Sequence, residues 1–270
     1  MLLCLDAGNS RLKWGLSRER ADDWQGRGAL PWADIARLPQ ALAAIGATST
    51  PPRSARLASV VDREREMLLQ HLLQTAYPRL AVSVIRSGAA AAGVVNGYSA
   101  PETLGADRWC ALIGARALEA RPCLVVMAGT ATTMDSLDAA GNFMGGLILP
   151  GLQMMRAALA QGTALSPDTT SGAHLPFPRN TADAIASGCL EAQIGAIERA
   201  FLRLPDAACC LLSGGAALTL LPFLAALPVR HIPDLTLEGL RRMKVSAPRE
   251  SRGRRKLGQQ ETGTTKTRPP

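Results

Sequence analysis

The stretch MLLCLDAGNSRLKWGLS, residues 1–17, decides how the chain is read. An apolar run from Met1 to Leu5 leads into the turn-prone Asp6, Ala7, Gly8, Asn9 and Ser10, and beyond it Leu12, Trp14 and Leu16 alternate with Arg11, Lys13 and Gly15. Alternation beyond an Asp/Gly/Asn cluster predicts two strands joined as a hairpin. The same plan returns 121 residues later: the apolar run at Cys123 meets Met127, Ala128, Gly129, Thr130 and Ala131, and Met134 and Leu137 begin a further strand. An apolar strand, x-A-G-[NT] and a second strand, present twice, indicate an internally duplicated α/β protein.

Between the copies the pattern predicts strands near 55–61 and 81–86 and helices near 63–76 and 106–120. After the second copy come a strand near 143–149, a helix opened by Pro150 and Gly151, and a long helix over 181–203, with Asn180 as N-cap and Asp183 favouring its dipole. A strand at 208–212, a helix reaching about Ala226 and a short strand at 229–232 complete the second half. The expected division is 1–120, 121–244 and a tail over 245–270.

Composition bounds the function. The 270 residues are 47% hydrophobic and 19% charged, enough apolar side chain for a sizeable core. No apolar run approaches the length of a membrane helix and no signal peptide is evident, so a cytoplasmic protein without membrane contact is expected. Six cysteines without a C-x-x-C pair and three scattered histidines suggest neither a zinc site nor disulfides; the cysteines read as small buried hydrophobes. His174 reads as a solvated loop residue. Residues 241–270 hold 10 Lys/Arg and 2 Asp/Glu, so the whole net charge of +8 lies there and the remainder is neutral. The tail is either a solvated segment or an arm that contacts polyanions.

Three glycine turns, each ending an apolar strand, carry the candidate chemistry. In the first, backbone N–H groups can wrap phosphate oxygens, Asp6 can enter a Mg²⁺ shell, and Ser10, Arg11 and Lys13 supply donors and positive charge; an ordinary hairpin turn is the plain alternative. The second offers Gly129, Thr130, Thr132 and Thr133. The third, Ser213-Gly214-Gly215-Ala216, is either a nucleotide contact or a close packing turn. Together they suggest a nucleotide between the two halves. A separate loop, Asn96 to Trp109, delivers Asp107 and Arg108 side by side at a helix start: an acid to accept a hydroxyl proton and a guanidinium to fix an anion, or a dipole partner and a solvated Arg.

As a set, the first turn, the PETLGADR loop, Gly129-Thr-Ala-Thr-Thr-Met-Asp135, Gly145-Gly-Leu-Ile-Leu-Pro-Gly151, Asn180-Thr-Ala-Asp-Ala-Ile-Ala-Ser-Gly188 and Ser213-Gly-Gly215 resemble the type III pantothenate kinases of the acetate and sugar kinase/Hsp70/actin superfamily, including the branch described as Bvg accessory factor. The resemblance spans residues 1 to about 240. It implies two ribonuclease-H-like (actin-like ATPase) halves, a homodimer, and ATP-dependent phosphorylation of pantothenate, the first step towards coenzyme A. It implies that Asp6, Ala7, Gly8, Asn9, Ser10, Arg11, Leu12 and Lys13 hold ATP phosphates and Mg²⁺, that Gly129 and Thr130 contact ATP with Gly214 and Gly215 nearby, and that Asp107 is the general base. Tyr98, Gly105, Ala106, Asp107 and Arg108 would bind pantothenate, with Thr181 reaching across from the partner subunit.

One position departs from the family pattern. An acid two residues before Gly-Thr helps hold K⁺ or NH₄⁺, and this chain has Met127 there. A thioether is a poor ligand for a hard cation, so weak K⁺ dependence is expected. Asp135 receives no firm role. Two rival functions are a superfamily ATPase with another acceptor and a regulatory accessory protein whose basic tail contacts nucleic acid or a protein partner.

Overall fold

In the computed structural model, residues 1–18, 23–47, 49–162, 172–205 and 207–243 are described. The tail over 245–270 and most of the Pro-rich loop before His174 lie outside them. The first sheet is built from β1 (Leu2–Ala7), β2 (Arg11–Ser17), β3 (Trp24–Pro31), β4 (Ser54–Ser59) and β5 (Ala81–Val84), in the order β3-β2-β1-β4-β5. The second contains β6 (Ala90–Ala91), β7 (Val94–Asn96), β8 (Cys123–Ala128), β9 (Ala131–Leu137), β10 (Asn142–Pro150), β11 (Cys209–Ser213) and β12 (Val229–His231), ordered β12-β11-β8-β9-β10-β7-β6.

The duplication shows in five strands of each sheet, β7 and β6 being additional in the second. In each half an antiparallel hairpin, β1-β2 or β8-β9, extends on one side to an antiparallel third strand and on the other to two parallel strands. Asp6 pairs across its hairpin with Lys13, and Met127 holds the matching place opposite Thr133.

The helices are α1 (Leu38–Leu42), α2 (Arg63–Ala76), α3 (Ala106–Leu118), α4 (Leu152–Gly162), α5 (Thr181–Phe201), α6 (Ala217–Leu220) and α7 (Leu235–Arg242). Strand alternation sorts the core into layers. Leu2 and Cys4 of β1 and Cys123 and Val125 of β8 face a central layer with Trp109 and Leu112 of α3 and Leu237 of α7. Leu3 and Leu5 pack outward with Leu69 and Leu73 of α2, while Leu124 and Val126 pack outward with Leu190 and Ile194 of α5. All six cysteines are buried free thiols, and burial pushes Cys4 up to about 12, so it packs as a hydrophobe.

Several elements differ from the expectation. β3 was not anticipated, because Gly26 and Gly28 argue against a strand; the fold needs them, since a Cβ at either would collide with Ile45 or the Trp14 indole. α1, β6, β7 and the polar eight-residue α7 were also missed. The helix expected to run to Ala226 ends at Leu220 and tightens into a 3-10 turn over Leu221–Phe223, where Pro222 has no N–H to continue the ladder. The division near Ala120 is crossed both ways: β7 pairs with β10, while α7 packs on α3, β1 and β4. His174 is not simply solvated, because its Nε2 lies 2.8 Å from Glu191 Oε1 and its ring meets Phe223 edge-on.

Candidate active site

Parity along β1 aims the chemistry. Asp6 follows Leu2 and Cys4 on the face turned to the central layer, where α3 brings Asp107 and the N-terminal end of α7 brings Asp234. Burial pushes the Asp6 carboxyl from 3.8 up to about 7; Lys13 draws it down, and Asp107 and Asp234 add to the rise. Asp234 is in turn paired with Lys13 at 3.6 Å and Arg27 at 3.3 Å. Asp234 and Arg27 escaped sequence reasoning, because neither lies in a glycine turn and only tertiary packing brings them to Lys13.

The two hairpin tips meet. Ser10 Oγ and Thr130 Oγ1 lie 2.7 Å apart, linking turns separated by 120 residues. Around the first tip, Gly8 N donates to Arg11 O, the Gly8 carbonyl accepts from Trp32 Nε1, and the Asn9 carbonyl accepts from Arg65. Asn9, Ser10 and Arg11 are exposed, whereas Ala7 and Leu12 are buried and only shape the turn. Gly8 and Gly129 have room for a Cβ, so packing does not demand glycine at either. Gly214 differs: its φ is +104° and a Cβ would strike the Ala128 backbone, so it serves turn packing, while Gly215 faces open space.

The loop from Asn96 to Trp109 is braced from behind. Asn96 donates through Nδ2 to Gly88 O and Pro101 O and accepts from Tyr98 N; Ser87 Oγ donates to Leu104 O. Gly105 caps α3, buried Ala106 begins it, and Asp107 Oδ1 accepts from Arg108 N. Arg108 is not a solvated cation. It is buried, donating from Nε and Nη2 to the two oxygens of fully buried Asp135 and from Nη1 to the Tyr98 hydroxyl.

Thr181 stands apart from that loop: it is exposed at the start of α5 and makes no hydrogen bond to Tyr98, Asp107 or Arg108 of its own chain. It lines an apolar groove of about 710 Å³ between α4 and α5, with Met154, Ala184, Ile185, Gly188 and Ala192. Along α5, Ala186, Leu190, Ile194 and Ile197 are core, whereas Ala184, Ile185, Gly188 and Ala192 line the groove.

Among the described residues no cluster of three or more His, Cys, Asp or Glu side chains forms a metal cage. Oxygen donors at Asp6 suit Mg²⁺ carried on nucleotide phosphates, which needs only one or two carboxylates. Met127 does not suit K⁺: its thioether packs against the central apolar layer. No helix among the described residues is long and apolar enough to cross a membrane.

Comparison with known proteins gives the family. Residues 2–203 match the family model for type III pantothenate kinase. The type III pantothenate kinase of Dechloromonas aromatica is 44% identical over 92% of this chain and 100% of its own length, and that of Aromatoleum aromaticum is 46% identical over 89% and 96%. A solved Sinorhizobium meliloti structure assigned as a 2-dehydro-3-deoxygalactonokinase superposes with a TM-score of 0.57 at 16% identity, covering 89% of this chain and 97% of that one, which is a likeness of fold. By sequence match over most of its length, with the two-lobed kinase fold beneath it, the chain belongs to the type III pantothenate kinase family.

Proposed function

We propose that the protein transfers the γ-phosphoryl group of ATP to the 4′-hydroxyl of pantothenate. The observation that carries the reading is the convergence of the linked hairpin tips with Asp6, Lys13 and Asp107 at one end of the central layer. Asp107 takes the hydroxyl proton as the pantothenate oxygen bonds to the γ-phosphorus and the bond to the β,γ-bridging oxygen breaks, releasing ADP. Lys13, Ser10, Arg11, Thr130 and the N–H groups of Gly8 and Gly129 hold the phosphates, with Gly215 open to the nucleotide. Asp6 would hold Mg²⁺ carried on the phosphates, and the ion would supply positive charge to offset theirs. Tyr98, Gly105, Ala106 and Arg108 hold pantothenate, Arg108 at its carboxylate.

The apolar groove supports a homodimer in which Thr181 reaches the partner's acceptor site, because Met154 is exposed and the groove is almost wholly apolar. No step is assigned to a monovalent cation. The test is ADP release from MgATP with and without pantothenate, in K⁺-free buffer and again with K⁺. Pantothenate-dependent release that is little changed by K⁺ is the expected result; release independent of pantothenate would overturn the reading.

A further inference from the structure

We infer that Asp135 is a positioning residue for the acceptor: it grips one edge of the Arg108 guanidinium and leaves two N–H donors to meet an anionic group. This rests on the reading of Arg108 as the partner of the pantothenate carboxylate. A guanidinium has five N–H donors. Asp135 takes two, from Nε at 3.1 Å and Nη2 at 2.5 Å, and the Tyr98 hydroxyl takes one from Nη1 at 2.8 Å. One N–H on Nη1 and one on Nη2 remain without a partner among the described residues, the number that a bidentate carboxylate accepts.

The rest of the site holds that arrangement. The guanidinium carbon lies 5.6 Å from the centre of the Tyr98 ring and 5.9 Å from that of Phe143, so it sits against two aromatic rings that are 5.3 Å apart. Gly146 on β10 supplies a separate, steric observation. A Cβ there would strike Asp135 Oδ1 and come within 2.7 Å of Arg108 Nη2, so the strand has no side chain where the pair stands. Asp135 is fully buried on β9, rigid against β8 and β10, and never reaches the substrate itself. Its effect passes through Arg108.

The test is steady-state kinetics of wild type, Asp135→Asn, Arg108→Ala, the double variant and Gly146→Ala, with pantothenate and ATP varied separately. Asp135→Asn is expected to raise KM for pantothenate roughly 10- to 100-fold, the scale of a misplaced binding group, with KM for ATP near wild type. Adding it to Arg108→Ala should cost nothing further, and the double variant should melt above Asp135→Asn because no buried cation is left unpaired. Gly146→Ala, which keeps both charges, should reproduce the selective rise even if Asp135→Asn folds poorly. A wild-type KM in Asp135→Asn, equal losses for both substrates, or an additive double variant would overturn the inference while wild-type turnover of pantothenate stood. Wild type inert toward pantothenate would instead overturn the functional reading beneath it.

Discussion

Asp107, Met127 and Asp6 carry residue-scale expectations. Replacing Asp107 with Asn removes the proposed base, and turnover should fall by roughly 10²- to 10⁴-fold while ATP binding, followed by calorimetry, persists. At the place equivalent to Asp6 in the second half, Met127→Asp would supply an oxygen ligand for a hard cation, and turnover should then rise with added K⁺ more than that of the wild type. Asp6 gives a pH signature. Its carboxyl is raised by burial from 3.8 to about 7, so between those values the folded chain binds a proton that the unfolded chain has lost. That contribution to stability is present below about 4 and is lost as pH rises to about 7. In Asp6→Asn the loss is absent, so its Tm relative to wild type should climb across this window and level off above it.

At the scale of elements, glycine decides where loops and helices touch. Gly151 opens the turn before α4 and sits against the carbonyls of Gly129 and Thr130, donating to the latter at 2.9 Å. Gly151→Ala should push the second hairpin tip away, destabilise by about 1–3 kcal/mol as overpacked sites do, and raise KM for ATP. In the α3-α7 contact Gly114 lies against the Leu235 carbonyl, and Gly239 lies against that of Cys110 more tightly than Gly151 against Gly129. Backbone cannot yield as a side-chain tip can, so Gly239→Ala should lower Tm more than Gly151→Ala.

For the whole molecule, the groove between α4 and α5 bears on assembly. Ala192→Glu places a charge on an exposed position of that apolar face. Sedimentation should report a shift from dimer to monomer with unchanged circular dichroism, and KM for pantothenate should rise if Thr181 serves the partner's site. An unchanged dimer would remove this face from the interface. The layered core accounts for the geometry: two similar sheets enclose α3 and α7, and the site lies at one end of that shared layer.

The duplication, the two hairpins with their glycine tips and the adjacent Asp107 and Arg108 at a helix start are legible in the residues alone, because strand alternation and turn chemistry are local properties. So are α2 and α5, the latter with its Asn180 cap, which accepts from Asp183 N. The meeting of Ser10 with Thr130, the pairing of Asp234 with Lys13 and the grip of Asp135 on Arg108 come from folding in three dimensions. β3 and α7 belong with these, since their glycines oppose regular structure until Trp14, Ile45 and Cys110 fill the space a Cβ would take. Such contacts join residues far apart in the chain, and long-range packing leaves no periodic trace in sequence.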